Sequence, residues 1–552
     1  MKSIVLASVV LGGIGVLALL VYWWTTDQGI GISPDSASYI ECARNFANGR
    51  GLAHWNVWVN PPKMGPFIHW PPLYPIMLAP FEAGGVDPAV GARWLGAAFF
   101  VTNVVLIGAL LFICTGGAIW IAAAGSVLAL CSRAFIETHV MAWSEPPFFF
   151  FAIVGLALIA AHLERRSYVF LLGAAIVIGL SWVTRYVGVS LPGAGALGLL
   201  LWGRRERYAR WRDAAILGVV GSIPSALWMW RNHVLTGHTS DREILFSPVP
   251  FEKIRSAFLT FTSWILPGNF LHPPWWLSLL VTGILVPLGV AVFLWRRSRR
   301  GRSEQPLSND GAAKRHLATL PRLFALFGVA YFAMLLVSIS LIDRQAPLDN
   351  RMLSPVFFCA LFALLCLAHE ACARRRGRSR LVVTLVVGAV LVGMTVIGSR
   401  NARTCIAGMK AIDRGMSGPG WRENKALAAA RQLPMSTLIL TNGPEYVHFL
   451  TGRANVMFLW NTGRARPEIE ANPAAKFALR MSELKEYLAK PDTVLLYLGG
   501  LSGRTYLPTE KQLLESLPLR MVADPGGGRI YELDKSRAMP AQGPTAKDGD
   551  SK

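Results

Sequence analysis

The chain has 552 residues, 53% of them hydrophobic and 16% charged, with a mean hydropathy of +0.40. Soluble domains carry about 25% charged residues, so this composition excludes both an ordinary soluble enzyme and a disordered chain. The net charge, 55 − 33 = +22, would suggest a nucleic-acid partner in a soluble protein. Here the positive residues form short Arg clusters between apolar runs, so membrane topology accounts for them and no nucleic acid is expected.

A transmembrane helix needs about 20 mostly apolar residues. The first such run, Ile4 to Trp24, has no small-residue cleavage site after it and reads as a retained anchor. Further runs lie near 92–113, 117–132, 144–163, 168–184, 187–203, 214–230, 275–295, 319–341, 352–371 and 381–399. The expected architecture is an α-helical polytopic membrane protein of about eleven spans with a small C-terminal α/β domain. Arg165-Arg166, Arg204 to Arg212, Arg296 to Arg302 and Arg374 to Arg380 all follow even-numbered spans. They therefore share one side, which the positive-inside rule makes cytoplasmic. The N-terminus is then cytoplasmic, and the first loop and the C-terminal domain are external.

Three segments follow from this topology: a membrane domain over 1–400, an external domain over 401–534 and a polar tail over 535–552 expected to be disordered. The external loop 25–91 is long enough to be functional. It opens with Pro34-Asp35-Ser36-Ala37-Ser38-Tyr39, and Tyr39, Ala43 and Phe46 share one helical face. Asp35 then stands at a helix start just outside the bilayer, as either an N-cap or a general base; Ser38 with Glu41 is an alternative capping box. His69-Trp70-Pro71-Pro72-Leu73-Tyr74-Pro75 reads as a rigid turn leading into an interfacial helix over Ile76 to Phe81.

Ser144-Glu145-Pro146-Pro147 starts the fourth span, where the helix dipole favours a carboxylate. Asp35, His69, Glu137 and His139 are possible ligands of a divalent metal, although no spacing demands one. Arg185, in Trp182-Val-Thr-Arg185-Tyr186, and Arg351, in Asp349-Asn-Arg351, face the side where positive charge is scarce. Snorkelling to the interface accounts for such an arginine; so does an anion, most naturally a lipid phosphate.

Beyond Arg400, Thr437 to Thr441 and Thr493 to Tyr497 read as buried strands. Trp421 to Gln432, the stretch after Pro444 and Phe477 to Ala489 read as helices, and Leu519 to Ala523 with Arg529 to Leu533 reads as a hairpin across Gly526-Gly527-Gly528. No Gly-rich strand–helix turn suggests nucleotide binding. Of the seven cysteines, Cys42 and Cys405 are both expected outside and are a possible pair.

These segments in this order resemble the GT-C glycosyltransferases that use polyprenyl-phosphate sugars, especially bacterial family 39 members such as protein O-mannosyltransferases and the lipid A aminoarabinose transferase. The resemblance rests on Asp35-Ser-Ala-Ser-Tyr39, Pro71-Pro-Leu-Tyr-Pro75, Ser144-Glu145-Pro146, Arg185-Tyr186-Val-Gly188, Asp349-Asn-Arg351 and Trp421 to Arg453. It implies a large external loop carrying a catalytic Asp, here Asp35. Many relatives have Asp-Glu where this chain has Asp35-Ser36, so Glu145 becomes the candidate second acid. Arg351 and Arg185 become candidate phosphate ligands, with Tyr39, His69 and Tyr74 as loop support. The implied reaction transfers a sugar, with inversion, from a polyprenyl-phosphate donor to a lipid, protein or polysaccharide hydroxyl outside a bacterial inner membrane. The alternatives are a lipid-linked sugar transporter, which should show buried charges mid-helix, and a non-catalytic glycan- or lipid-binding scaffold.

Overall fold

The computed structural model describes residues 2–57, 62–203, 206–242, 244, 246–266, 317–343, 346–411, 414–459, 473–501, 504 and 507–538. They divide into two compact units. The first comprises Met1–Gly31, Phe46–Asn48 and Pro66–Asp413; the second comprises Ile32–Asn45, Gly49–Gly65 and Arg414–Lys552. The expected boundary at 400 thus gives way to one near 413, because a single helix, Gly377–Ala411, runs through it. The first loop is itself divided: Ile32–Asn45 and Gly49–Gly65 belong to the same unit as the C-terminal segment.

In the first unit, seven helices among the described residues are long and apolar enough to cross a membrane. They are Lys2–Thr25, Pro88–Cys114, Glu145–Arg165, Arg207–Thr236, Leu320–Leu341, Asn350–Ala373 and Gly377–Ala411. Ile119–Leu130 and Arg133–His139 form an eighth only as a pair bent by 60°. Tyr168–Trp182 and Tyr186–Trp202 are shorter apolar helices. The expected span 275–295 lies outside the described residues. Among the described residues the other expected runs thus form full-length spans, shorter apolar helices or the bent pair.

Sequence-local signals set the helix ends. The Asp87 side chain accepts a hydrogen bond from Ala89 N, ahead of Pro88. Asp349 caps its helix by accepting from Met352 N at 3.0 Å. Helices approach closely at small residues: a Cβ on Gly96 would lie 2.3 Å from Tyr22 Oη and 2.9 Å from the His139 carbonyl. The Gly377–Ala411 helix leaves Leu381, Val382, Leu385, Val386 and Val390 exposed, the surface that hydrocarbon chains cover in a bilayer.

One end of this bundle gathers the polar helix termini. Arg93 lies over the Trp23 ring and its Nε donates to Thr26 Oγ1. Lys410 pairs with Asp27 at 2.6 Å. Gly31 bridges to Met141. At the other end, Glu164 accepts from Leu317 N, and buried His162 and Asp213 meet at 3.2 Å.

In the second unit, the Pro34–Ala47 helix precedes a two-stranded ribbon, β1 (Ala53–Asn56) and β2 (Lys63–Pro66). A five-stranded sheet follows, from β3 (Leu438–Thr441), β4 (Val456–Phe458), β5 (Thr493–Leu498), β6 (Leu519–Ala523) and β7 (Gly528–Leu533), in the order β4-β3-β5-β7-β6. β3 runs parallel to β4 and β5, and β7 antiparallel to β5 and β6, which gives the expected hairpin. Leu440, Leu495 and Tyr531 from the sheet meet Met481, Leu484 and Leu488 of the Pro473–Leu488 helix in a small core. Of the tail 535–552, where disorder is expected, Lys535–Ala538 forms a short helical turn and 539–552 lie outside the described residues.

Candidate functional site

The first unit brings together three of the candidate residues. Glu145 opens the Glu145–Arg165 helix, Arg351 lies in the first turn of the Asn350–Ala373 helix, and Arg185 directly precedes the short turn Tyr186–Val189. Arg351 Nε donates to Glu145 Oε1 at 2.5 Å, and Arg185 Nη1 pairs with the same oxygen. Glu145 is 1% exposed, and its Oε2 has no hydrogen-bond partner among the described residues.

The Arg351 guanidinium lies 3.9 Å from the centroid of the Trp143 ring, a cation–π contact that holds its plane. Arg185 reaches Ser144 Oγ at 3.5 Å and Met352 Sδ at 3.6 Å. Buried Tyr331 stands in the field of all three charges. One carboxylate against two guanidiniums leaves the trio at +1. The two arginines thus share Glu145, whereas the sequence alone pointed each toward an external anion. Glu145 is engaged by both cations, a geometry that suits holding them better than exchanging a proton.

The 66–75 segment is fastened to the same end of the bundle. Leu73 N donates to Val183 O at 3.0 Å, Tyr186 Oη donates to Ile68 O at 3.1 Å, and Arg231 Nη1 donates to Phe67 O at 3.1 Å. His69 Nδ1 lies 2.8 Å from Asp241 Oδ2, and its Nε2 lies 3.4 Å from Arg242 Nη2. Arg242 accordingly donates to Nε2, which leaves Nδ1 to carry the proton toward Asp241. Burial alone would raise the Asp241 pKa. The hydrogen bond from His69 and the neighbouring positive charge of Arg242 outweigh it, and the net shift is downward. Tyr74 is buried in the first turn of the Leu73–Ala83 helix.

In the second unit, Asp35 is the second residue of the Pro34–Ala47 helix, half-buried in its first turn, and Tyr39 is buried on the same helix. The helix start is closed by neither Asp35 nor the Ser38–Glu41 pair. Ser33 Oγ accepts from Ser36 N at 3.3 Å, and Ser36 Oγ accepts from Ser33 N at 3.1 Å, a reciprocal cap three residues apart. Glu41 instead reaches out of the helix. Its Oε1 accepts from Trp55 N at 2.9 Å and lies 3.4 Å from His448 Nε2. His448 was not legible as a partner, because 407 residues separate it from Glu41.

Among the described residues no group of three or more His, Cys, Asp or Glu side chains could hold a metal ion. Glu137 pairs with Arg133, and His139 is buried against Phe135 and Phe149 with Asn103 Nδ2 at 3.1 Å. A cation beside Glu145 would also face two guanidiniums. The trio itself therefore suits an anion better than a cation. Cys42 and Cys405 are buried thiols rather than a disulfide.

No protein-family model matches the sequence, and no curated protein does. Solved structures do match. ArnT from Cupriavidus metallidurans bound to undecaprenyl phosphate superposes with TM-score 0.54 at 16% identity, over 96% of this chain and 98% of that one. The apo state of ArnT gives 0.51 at 14% identity over the same shares. The archaeal oligosaccharyltransferase AglB from Archaeoglobus fulgidus, in complex with an inhibitory peptide and a dolichol-phosphate, gives 0.50 at 11% identity, over 96% of this chain and 75% of that one. The chain therefore shares the GT-C fold of these structures: a multi-pass helical membrane domain followed by a small α/β domain.

Proposed function

We propose that the protein is a membrane glycosyltransferase that moves a sugar from a polyprenyl-phosphate-linked donor to an acceptor hydroxyl outside a bacterial inner membrane. The observation that carries this reading is the arginine pair held by Glu145 where helix termini meet, in a fold that ArnT shares with undecaprenyl phosphate bound. The Arg-rich segments at the opposite helix ends support a cytoplasmic assignment for that side and an external one for the arginine pair.

The chemistry follows from the charges. The acceptor oxygen forms a bond to the anomeric carbon as the bond from that carbon to the phosphate oxygen breaks. The bonding electron pair leaves with the lipid phosphate, and the acceptor proton goes to Asp35. The transition state resembles an oxocarbenium ion, and a single displacement inverts the anomeric centre. Arg351 and Arg185 stabilise the charge that accumulates on the leaving phosphate, so no acid is needed to protonate it. Glu145 orients the guanidiniums. The acceptor is a lipid, protein or polysaccharide.

The test is native mass spectrometry of the gently purified protein with added polyprenyl phosphate, beside a transfer assay. Bound polyprenyl phosphate lost in Arg351→Ala supports the donor site. Asp35→Asn should keep the lipid yet lose about 10²–10⁴-fold in transfer, the usual contribution of a general base. Retention of bulk phospholipid alone would overturn the reading, and full transfer by Asp35→Asn would remove that residue from it.

A further inference from the structure

The second unit contains a half-buried acid–base contact that the transfer chemistry does not use. His448 Nδ1 lies 2.7 Å from the Arg453 carbonyl oxygen, which can only accept, so Nδ1 carries a proton. His448 Nε2 faces Glu41 Oε1 at 3.4 Å, and a proton there donates to the carboxylate. With both nitrogens donating, the ring is an imidazolium. A neutral ring would instead turn its Nε2 lone pair toward the carboxylate.

Trp55 locks the same contact from β1. Its main-chain N donates to Glu41 Oε1, its ring stacks on His448 at 6.0 Å and 16°, and its Nε1 donates to Ala454 O at 3.0 Å. One turn along the helix from Glu41, Arg44 lies over the Phe449 ring. Other titratable and charged groups of this unit are buried His54, next to Trp55 in β1, Arg453, which donates to four backbone carbonyls, Glu445, which pairs with Arg504, and Arg431, which donates to Leu450 O.

We propose that Glu41 and His448 form a latch, closed by protonation of the imidazole, that positions the helix carrying Asp35; His448 is then a positioning residue for the general base. This rests on the transferase reading for the role of Asp35 but not for the latch itself. Glu41 stands six residues beyond Asp35 on one rigid helix, a rise of about 9 Å. A helix held at Glu41 keeps its first turn in place.

Burial alone would lower the His448 pKa. The Glu41 carboxylate outweighs burial through hydrogen bond and charge, with the Arg453 carbonyl adding to it, and the net shift is upward. The latch is therefore fully closed below the ordinary histidine range and opens as pH rises through the higher folded-state value.

Cys42, buried in the middle of this helix, is a built-in reporter. The full-length protein in nanodiscs is pulse-labelled with a maleimide from pH 6 to 9. The Cys42 peptide is quantified by mass spectrometry against the same protein unfolded at each pH. Normalised labelling of wild type should rise with pH by roughly tenfold, the change expected when one charge-assisted hydrogen bond is lost. His448→Gln and Glu41→Gln should label fast and without pH dependence. In the transfer assay, wild type should lose kcat at alkaline pH with donor KM unchanged, and His448→Gln should lack that limb. Labelling of wild-type Cys42 that stays flat across the range overturns the latch without any variant. Because labelling needs no donor, failure of the transferase reading leaves this result intact, and normal transfer with flat labelling sinks the latch alone.

Discussion

Replacing Arg351 by lysine keeps its charge and removes its geometry. Arg351 uses Nε for Glu145 Oε1 while its plane rests on Trp143. A planar guanidinium can do this and still present other N–H groups to a phosphate; an ammonium on a flexible stem must choose between carboxylate and phosphate. Losing one charge-assisted hydrogen bond costs about 1.5–3 kcal/mol. Part of a stacking contribution of about 0.5–2 kcal/mol goes with it. The sum, about 2–4 kcal/mol, corresponds to roughly 30- to 700-fold at 1.4 kcal/mol per decade. The loss should appear in the Kd for polyprenyl phosphate measured in nanodiscs. It should also appear in kcat, because charge on the phosphate grows toward the transition state. Arg351→Ala sets the floor, and a thermal melt controls for folding. If Arg351→Lys binds within threefold of wild type and turns over normally, a point charge suffices and the oriented guanidinium is not part of the site.

Glu145→Gln leaves two largely buried guanidiniums facing a neutral amide and should destabilise the protein by about 2–4 kcal/mol. Scanning fluorimetry should show a lower melting temperature that added polyprenyl phosphate partly restores, and an unchanged melt would mean the trio carries no stability. Gly415 takes φ +57°, and a Cβ there would lie 2.1 Å from the Ile32 carbonyl oxygen. Gly415→Ala should cost at least about 1–2 kcal/mol of left-handed strain and break the Ile32 bridge. Protease cutting within residues 25–65 should accelerate, and equal cutting would refute this. The Asp241 contact with His69 has the opposite pH sense to the latch. Its carboxyl is depressed, so its stabilisation is full above the usual Asp value of 3.8 and is lost as pH falls through the lower folded value. Amide exchange in residues 66–75 should quicken only in that acid window, and quickening already at pH 5–6 would point to a different group.

The sequence discloses the fold where burial dictates it. Apolar runs mark the helices because a bilayer leaves no alternative partner for backbone polar groups. β3, β5 and β7 show as short apolar runs because the small core of the second unit needs them. What it hides is long-range or local in a finer sense. The 60° bend between Leu130 and Arg133 has no proline, and apolar composition alone continues straight through it. The sequence offered two caps for the helix starting at Pro34, Asp35 and the Ser38–Glu41 pair, and the structure puts Ser33 and Ser36 there instead.

The candidate site divides along the same line. Residue type and topology were enough to single out Glu145, Arg185 and Arg351, because each is an ionisable group at the polar end of an apolar helix. They were not enough to show that the three meet. Arg185 and Arg351 were read one at a time, and an isolated arginine near a bilayer demands an anion from elsewhere. The structure supplies part of that anion from Glu145 itself. This changes what a substrate phosphate has to do. Two bare guanidiniums in a low-dielectric site would repel each other and swing apart when empty. With one carboxylate oxygen between them they are held converged before any ligand arrives, still at +1 as a trio. A phosphate then completes the charge balance of an arrangement already in place, so little of its binding energy goes into ordering the arginines. On the proposed reading, the same carboxylate limits how tightly the anion is held, which would suit release of a lipid phosphate after each transfer.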